Sequence, residues 1–331
     1  MHPLISFGLL LILALGFAYT NGFHDAANVV ATMIASRAIS PRLALTLSAV
    51  ANFIAPFLFG TAVAKVVGEG IIDSQSVSIT VVIAALLSAV VWNLVTWWFG
   101  IPSSSSHALV GGLVGGALAF GGPGAVMMDG LIVVFLALFI SPILGFVVSW
   151  ITLRLVLFLA RGATPKINKT FNRLQLITAT SLALAHGTND GQKIMGLIAL
   201  GLVSLGFQQT FTIPDWVILV SAAAMGLGTA TGGWRIIHTL GGKFFRIRPI
   251  HSLSSQFASA AVIFGASLVG GPVSTTHVVS SSVVGAGASE RMSKVRWTNL
   301  SDIGIAWLIT IPITTLLAAA LYYLLRLVLG P

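Results

Sequence analysis

Asn21-Gly22-Phe23-His24-Asp25-Ala26-Ala27-Asn28 and, in the other half of the chain, His186-Gly187-Thr188-Asn189-Asp190-Gly191-Gln192-Lys193 are two polar strings set into long apolar runs. A second pair follows in the same order, Pro102-Ser103-Ser104-Ser105-Ser106-His107 and Pro272-Val273-Ser274-Thr275-Thr276-His277. Ionisable groups and helix-breaking glycines at membrane depth are costly, so a doubled set of them marks a substrate or ion site between two repeats. The pattern reads as a transporter.

Composition agrees. With 56% hydrophobic and 8% charged residues and a mean hydropathy of +0.99, the chain has too little polar surface to dissolve as a globule. Residues 4–20, 43–67, 77–100, 131–153, 215–234 and 300–325 are each long and apolar enough to cross a hydrocarbon core of about 30 Å. Backbone satisfaction in lipid then demands helices, and the alternating pattern of a membrane β-barrel is absent. Met1-His2-Pro3 lacks the basic start of a cleavable signal, and no Arg-rich transit segment precedes the first apolar run, so a bacterial or archaeal cytoplasmic membrane is the expected location.

A formal net charge of +9 raises nucleic acid as a partner, but the basic residues sit in loops. Arg37 and Arg42 form one group, Arg154, Arg161, Lys166, Lys169 and Arg173 a second, Arg235, Lys243, Arg246 and Arg248 a third, and Arg291, Lys294 and Arg296 a fourth. The positive-inside rule puts these loops in the cytoplasm. The loops at 68–76 and 121–130 carry Glu69, Asp73 and Asp129 without a basic residue and belong outside.

Threading the chain accordingly, segment 4–36 runs inward and 43–67 outward, 77–120 leaves and returns to the outside, and 131–153 runs inward. The second half starts from the other side: 174–206 runs outward, 215–234 inward, 252–289 leaves and returns to the inside, and 297–328 exits. The expected organisation is a first repeat at 1–153, a basic cytoplasmic linker at 154–173 and an inverted second repeat at 174–331, with both termini outside the cytoplasm. Segments 77–120 and 252–289 read as re-entrant hairpins: Pro102 and Pro272 break a helix, and the Ser or Thr that follows caps a new one. Trp97 and Trp98 beside the first tip pull the other way, because membrane Trp favours the interfaces. Gly and Asn in 20–28 and 186–193 suggest two further broken helices, whose freed amides and carbonyls would suit an anion and Na⁺.

Asp25 and Asp190 are hard oxygen ligands for a small cation, and each can also accept a hydrogen bond from a protonated oxyanion. Ser104, Ser105, Ser106, Ser274, Thr275 and Thr276 supply donors for a tetrahedral anion. Lys193 adds a point charge, and its repeat counterpart Asn28 can serve either ion. Asn189 joins Asp25, Asn28 and Asp190 as a Na⁺ ligand candidate. Each hydroxyl has a plain alternative, since Ser and Thr in membrane helices commonly pack helices or bond their own backbone. His107 and His277 are as well suited to orienting the tips as to ligation, and His24 and His186 are weaker candidates still. Gly111, Gly112, Gly115, Gly116, Gly285 and Gly287 read as sites of close helix packing.

Taken together, these strings resemble the inorganic phosphate transporter (PiT) family of sodium- or proton-coupled phosphate carriers, over nearly the whole chain. The family's duplicated Gly-x-Asn-Asp-x-x-Asn signature is close to Gly187–Lys193, with Lys193 in place of the final Asn; in the first copy His24 precedes Asp25, and Asn28 fits. Its Pro-x-Ser-Thr-Thr-His string matches Pro272–His277 and, with Ser for Thr twice, Pro102–His107. The resemblance implies co-transport of phosphate with Na⁺, favoured over H⁺, and a site drawn from both pairs of motifs. An H⁺-coupled phosphate or sulfate permease is the alternative.

The chain therefore reads as an all-α polytopic membrane protein of two inverted repeats, with broken helices and re-entrant hairpins, working as a symporter by alternating access. It does not read as an enzyme: an intramembrane hydrolase using Ser106 or Thr276 is disfavoured because Ser106 and His107 do not face each other on a helix. An anion channel would need a continuously wet pore, whereas polarity here is concentrated in one layer. The partners expected are inorganic phosphate, Na⁺ and the bilayer, with a homodimer as an option and no nucleic acid. No cofactor is expected beyond the coupling ion, Na⁺ or H⁺, and the chain holds no cysteine.

Overall fold

A computed structural model describes residues 3–72 and 77–329; Met1, His2 and Asp73 lie outside the described residues. All regular elements among them are helical. They comprise α1 (Pro3–Ala35), α2 (Pro41–Leu58), α3 (Ala62–Glu69), α4 (Ile79–Phe99), α5 (Ser105–Gly121), α6 (Met128–Leu159), α7 (Ile167–Ser204), α8 (Asp215–Thr231), α9 (Trp234–Gly242), α10 (Pro249–Leu268), α11 (Thr275–Glu290) and α12 (Trp297–Leu329). Six of these helices are long and apolar enough to cross a membrane, or seven when α8 and α9 count as one bent span.

The order of elements is itself duplicated. A long helix, a helix of moderate length, a short helix, a two-helix hairpin and a second long helix occur as α1–α6 and again as α7–α12. The halves interlock by exchange: α1 packs on α8 and α7 on α2, while α5 packs on α12 and α11 on α6. Two large apolar cores result, beside a smaller one around Leu153, Phe171 and Leu253. Leu10–Ala18 of α1 lies in the first core and Ala26–Met33 in the second, whereas Ala179–Ala185 of α7 lies in the second and Ile194–Leu202 in the first. The counterpart helices α1 and α7 therefore run in opposite senses, as inverted repeats require. Residues 20–25 and 186–193, which carry the polar strings, fall between the two cores.

Neither string breaks its helix. Both α1 and α7 run without interruption through Asn21–Asn28 and His186–Lys193, contrary to the sequence expectation of unwound segments. The glycines serve another purpose. A Cβ on Gly22 would overlap the Met225 carbonyl of α8, and one on Gly187 would lie 2.9 Å from Asn52 Cα of α2. Gly permits these backbones to approach, and the close packing keeps the helical geometry.

The breaks lie elsewhere, at matching positions in both halves. Gly60 separates α2 from α3 and Gly232 separates α8 from α9, each with φ +70, a left-handed conformation open to Gly. The second pair bends by 67°. Gln192 on α7 accepts the Val63 amide with Oε1 at 2.8 Å, supplying one of the partners that the start of α3 lacks.

Segments 77–120 and 252–289 fold as the helix–tip–helix pairs α4–α5 and α10–α11, with Ser104 and Ser274 accepting the His107 and His277 amides as N-caps; α4 and α5 are each long and apolar enough to cross a membrane as well as to form a hairpin. Trp97 and Trp98 do flank the first tip, where Arg235 of α9 lies 4.4 Å over the Trp98 ring and donates to the Trp98 carbonyl. A local cation–π partner accounts for their place. The irregular part of the basic linker is confined to residues 160–166, because α6 and α7 extend into it from either side. Leu136, Ile143, Leu308 and Leu316 expose large apolar side chains on α6 and α12, as a lipid-facing surface demands.

Candidate functional site

The two hairpin tips meet. Ser106 Oγ at the start of α5 donates to the Val273 carbonyl at the second tip, at 3.2 Å. Around this contact α1 and α7 present their carboxylates, and Asp25 and Asp190 are at most 1% exposed.

Hydroxyls from the tips approach those carboxylates in a reciprocal pattern. Ser105 Oγ donates to Asp25 Oδ2 at 3.0 Å, and its repeat counterpart Thr275 donates to Asp190 Oδ2 at 2.9 Å. Thr276 crosses between halves to donate to Asp25 Oδ1 at 3.0 Å. Asn28 Nδ2 donates to Thr276 Oγ1 at 3.0 Å, and Lys193, its counterpart, donates to Ser106 Oγ at 2.6 Å. Each half thus reaches into the hairpin of the other. Ser104 and Ser274 face backwards as caps, and Ser104 also bonds His107 Nδ1 at 2.8 Å. The first amides of α5 and α11 have no partner within their helices, and the caps take only those of His107 and His277, so two helix N-termini aim unpaired N–H groups at one region.

The charges are distributed unevenly. Asp190 Oδ1 lies 2.5 Å from Lys193 Nζ, and the Val273 carbonyl accepts a third Lys193 bond at 2.7 Å. The ion pairs of Asp25 among the described residues are with histidines, His24 Nδ1 at 3.0 Å and His186 Nε2 at 4.0 Å. His186 Nε2 also lies 3.1 Å from Asp190 Oδ2, one helical turn along α7. Its other nitrogen faces Asn52 Oδ1 at 3.1 Å, and Asn52 Nδ2 is committed to Thr229, so the imidazole donates through Nδ1. His186 Nε2 thus faces two carboxylates, and a positive charge placed among the three groups balances them. Asp25, His186 and Asp190 each offer a ligand atom within 4.8 Å of the others, a set able to hold a cation.

Asn28 Oδ1 and Asn189 Oδ1 are buried without a hydrogen-bond partner. Asn189 is oriented by its amide, which donates to Ser267 Oγ at 2.8 Å and to the Gly271 carbonyl at 3.0 Å. A buried carbonyl oxygen left bare beside a carboxylate motif is a natural cation ligand.

Of the residues singled out in the sequence, Asp25, Asn28, Asp190, Lys193, Ser105, Ser106, Thr275 and Thr276 join one buried cluster, Ser104 and Ser274 cap its edge, and Asn189 turns its amide aside to Ser267 and Gly271. His107 and His277 stand together behind the tips, ring centroids 4.3 Å apart, with His277 stacked on Trp307 at 3.9 Å. The histidines ranked lowest from the sequence, His24 and His186, are the ones that touch carboxylates. The one signal available for His186 was its i, i+4 spacing to Asp190. Asn52 on α2 and Thr96 on α4 orient the histidines of the cluster from other helices and carry no local signal at all.

The sequence profile of the phosphate transporter family matches residues 21–318. A probable low-affinity inorganic phosphate transporter of Bacillus subtilis is 44% identical over 324 residues, covering 97% of both chains. One of the same description from Rhizobium meliloti is 43% identical over 316 residues, covering 95% of each. Among solved structures, one described as the sodium-dependent phosphate transporter superposes with a TM-score of 0.91 at 24% identity, over 98% of this chain and all of the other; at that identity the likeness is one of fold.

Proposed function

The chain belongs to the phosphate transporter family, and on that premise we propose that it is a secondary active phosphate symporter, driven by Na⁺ and working by alternating access in the cytoplasmic membrane. The observation that carries this reading is the convergence of two capped helix N-termini from opposite halves onto Asp25 and Asp190. Backbone amides at the two tips and the hydroxyls of Ser105, Ser106, Thr275 and Thr276 are the donors a tetrahedral oxyanion needs, with Ser104 and Ser274 holding the tips as caps. Asn28 and Lys193 hold the Thr276 and Ser106 hydroxyls toward it.

Two carboxylates alone would repel phosphate, and cations remove the conflict. Na⁺ against Asp25 and the bare Asn28 oxygen supplies that charge in the first half. Asn189 and Asp190 form the matching set in the second, where Lys193 already stands. A carboxylate can also accept the O–H of monohydrogen phosphate, which sulfate lacks at neutral pH, so Asp25 and Asp190 favour phosphate over sulfate. Because the cluster is buried, substrate reaches it only when the hairpin tips part. Rocking or hairpin gating around the site would open it to each side in turn, with the linker at 154–173 on the cytoplasmic side and both termini outside the cytoplasm.

Counterflow tests the carrier and its substrate together. Proteoliposomes loaded with unlabelled phosphate should transiently concentrate external labelled phosphate, and sulfate loading should not support this. Simple equilibration would indicate a channel, and equal counterflow with sulfate would reject the selectivity.

A further inference from the structure

Duplication makes each half a control for the other, and at one position the halves differ in charge. Asn28 and Lys193 occupy equivalent turns of α1 and α7 and make the equivalent hydrogen bond to the opposite hairpin. One is neutral with a bare carbonyl oxygen, and the other carries an ammonium that is 3% exposed. All three Lys193 protons are already assigned to oxygens: Asp190 Oδ1 at 2.5 Å, Ser106 Oγ at 2.6 Å and the Val273 carbonyl at 2.7 Å. A carboxylate, a hydroxyl and a backbone carbonyl are also the ligands that a small hard cation takes.

We propose that Lys193 is a tethered cation standing where the second half would otherwise recruit a soluble one, so that transport needs one mobile cation fewer than it would with Asn at this position. Charge bookkeeping supports this. Asp25 and Asp190 together carry two negative charges, and the ammonium cancels one before any ion binds. Asp25 has no Lys or Arg partner among the described residues, and the bare Asn28 oxygen stays available, so recruitment falls to the first half. The asymmetry in sequence becomes an asymmetry in role: the first half binds the driving ion, and the second is permanently occupied. The inference rests on the transport reading above, but not on which ion drives it.

The test compares wild type with Lys193→Asn, Lys193→Gln and Lys193→Arg in proteoliposomes, reading labelled phosphate uptake against Na⁺ concentration and the ratio of labelled Na⁺ to phosphate moved. The neutral variants should transport only with added Na⁺, at a ratio higher by one than wild type, because the freed Asn189 and Asp190 oxygens and the new side-chain carbonyl form a second cation site. Lys193→Gln carries the test if Lys193→Asn does not fold. Lys193→Arg should keep the wild-type ratio whatever its rate, and a changed ratio in this variant would overturn the proposal even if both neutral variants fail to fold. An unchanged Na⁺ dependence in a neutral variant that still transports would overturn it. So would a folded neutral variant whose phosphate binding no Na⁺ concentration restores, since Lys193 would then be an anion ligand. Should wild-type uptake ignore Na⁺ while a neutral variant requires it, the tethered-cation proposal stands and the sodium reading of the wild type falls.

Discussion

Replacing each aspartate by Asn should have very different consequences for stability, although the two residues are repeat counterparts. In Asp190→Asn the Lys193 ammonium loses a carboxylate 2.5 Å away and keeps only the neutral Ser106 and Val273 oxygens in a fully buried setting. Coulomb attraction at that distance, in an effective dielectric of about 20, sets a ceiling of ~7 kcal/mol. Removing one partner of a buried pair costs about 3–5 kcal/mol, because the other charge is left without compensation. In Asp25→Asn no lysine or arginine is orphaned: the partners are Ser105, Thr276 and two histidines. The amide oxygen still accepts one hydroxyl, and the cost of holding a buried unpaired carboxylate disappears, leaving a net change within about 1 kcal/mol. The gap between the variants, ~2–6 kcal/mol, is roughly 30- to 25,000-fold in the folded-to-unfolded ratio. Unfolding in mixed micelles by SDS titration, read through the 8 tryptophans, measures it in Na⁺-free buffer. Equal destabilisation of the two variants, or a larger loss for Asp25→Asn, would refute the assignment of charge within the site.

Further outcomes follow from other parts of the fold. Thr276→Val removes the hydroxyl that links the second hairpin to Asn28 and Asp25 of the first half, and phosphate half-saturation should rise about tenfold, the cost of one hydrogen bond to a charged group, with folding retained. Gly115→Ala drives a methyl into the Thr315 backbone of α12, and overpacking of this kind should cost about 1–3 kcal/mol in the same SDS titration, whereas Gly124→Ala, with open space around it, should cost far less. At the open end of the second hairpin, burial raises the Glu290 carboxyl, but hydrogen bonds from Lys294 and His251 and the Arg248 charge outweigh it and lower it from 4.5 to about 2. A depressed carboxylate stabilises the fold above its unfolded value, so this contribution should be lost as pH falls from 4.5 toward about 2. Amide exchange at Arg291–Arg296 should accelerate over that window in wild type and show no such step in Glu290→Gln.

The position of the site was legible because polarity is scarce in this chain: four polar strings in two matching pairs can be seen against hydrocarbon, and all four reach the cluster. The location of the helix breaks was not. Gly22 and Gly187 permit close backbones, while Gly60 and Gly232 turn the chain with φ +70, and a glycine in sequence does not distinguish contact from conformation. The roles of His24 and His186 are hidden in the sequence for a related reason. What ties His186 to the carboxylates is Asn52 on α2, and what steadies His24 is Thr96 on α4 at 3.2 Å, both brought in by tertiary packing. The contrast of Asn28 with Lys193 could be read directly, but the exchange of hydrogen bonds between halves needed the fold.

Accumulation of labelled phosphate in proteoliposomes under an inward Na⁺ gradient alone tests the account most directly. Uptake should rise transiently above the equilibrium level, collapse when a sodium ionophore dissipates the gradient, and persist in the presence of excess sulfate. Phosphate that only equilibrates under the Na⁺ gradient, or that accumulates solely under an H⁺ gradient, would contradict sodium-driven symport.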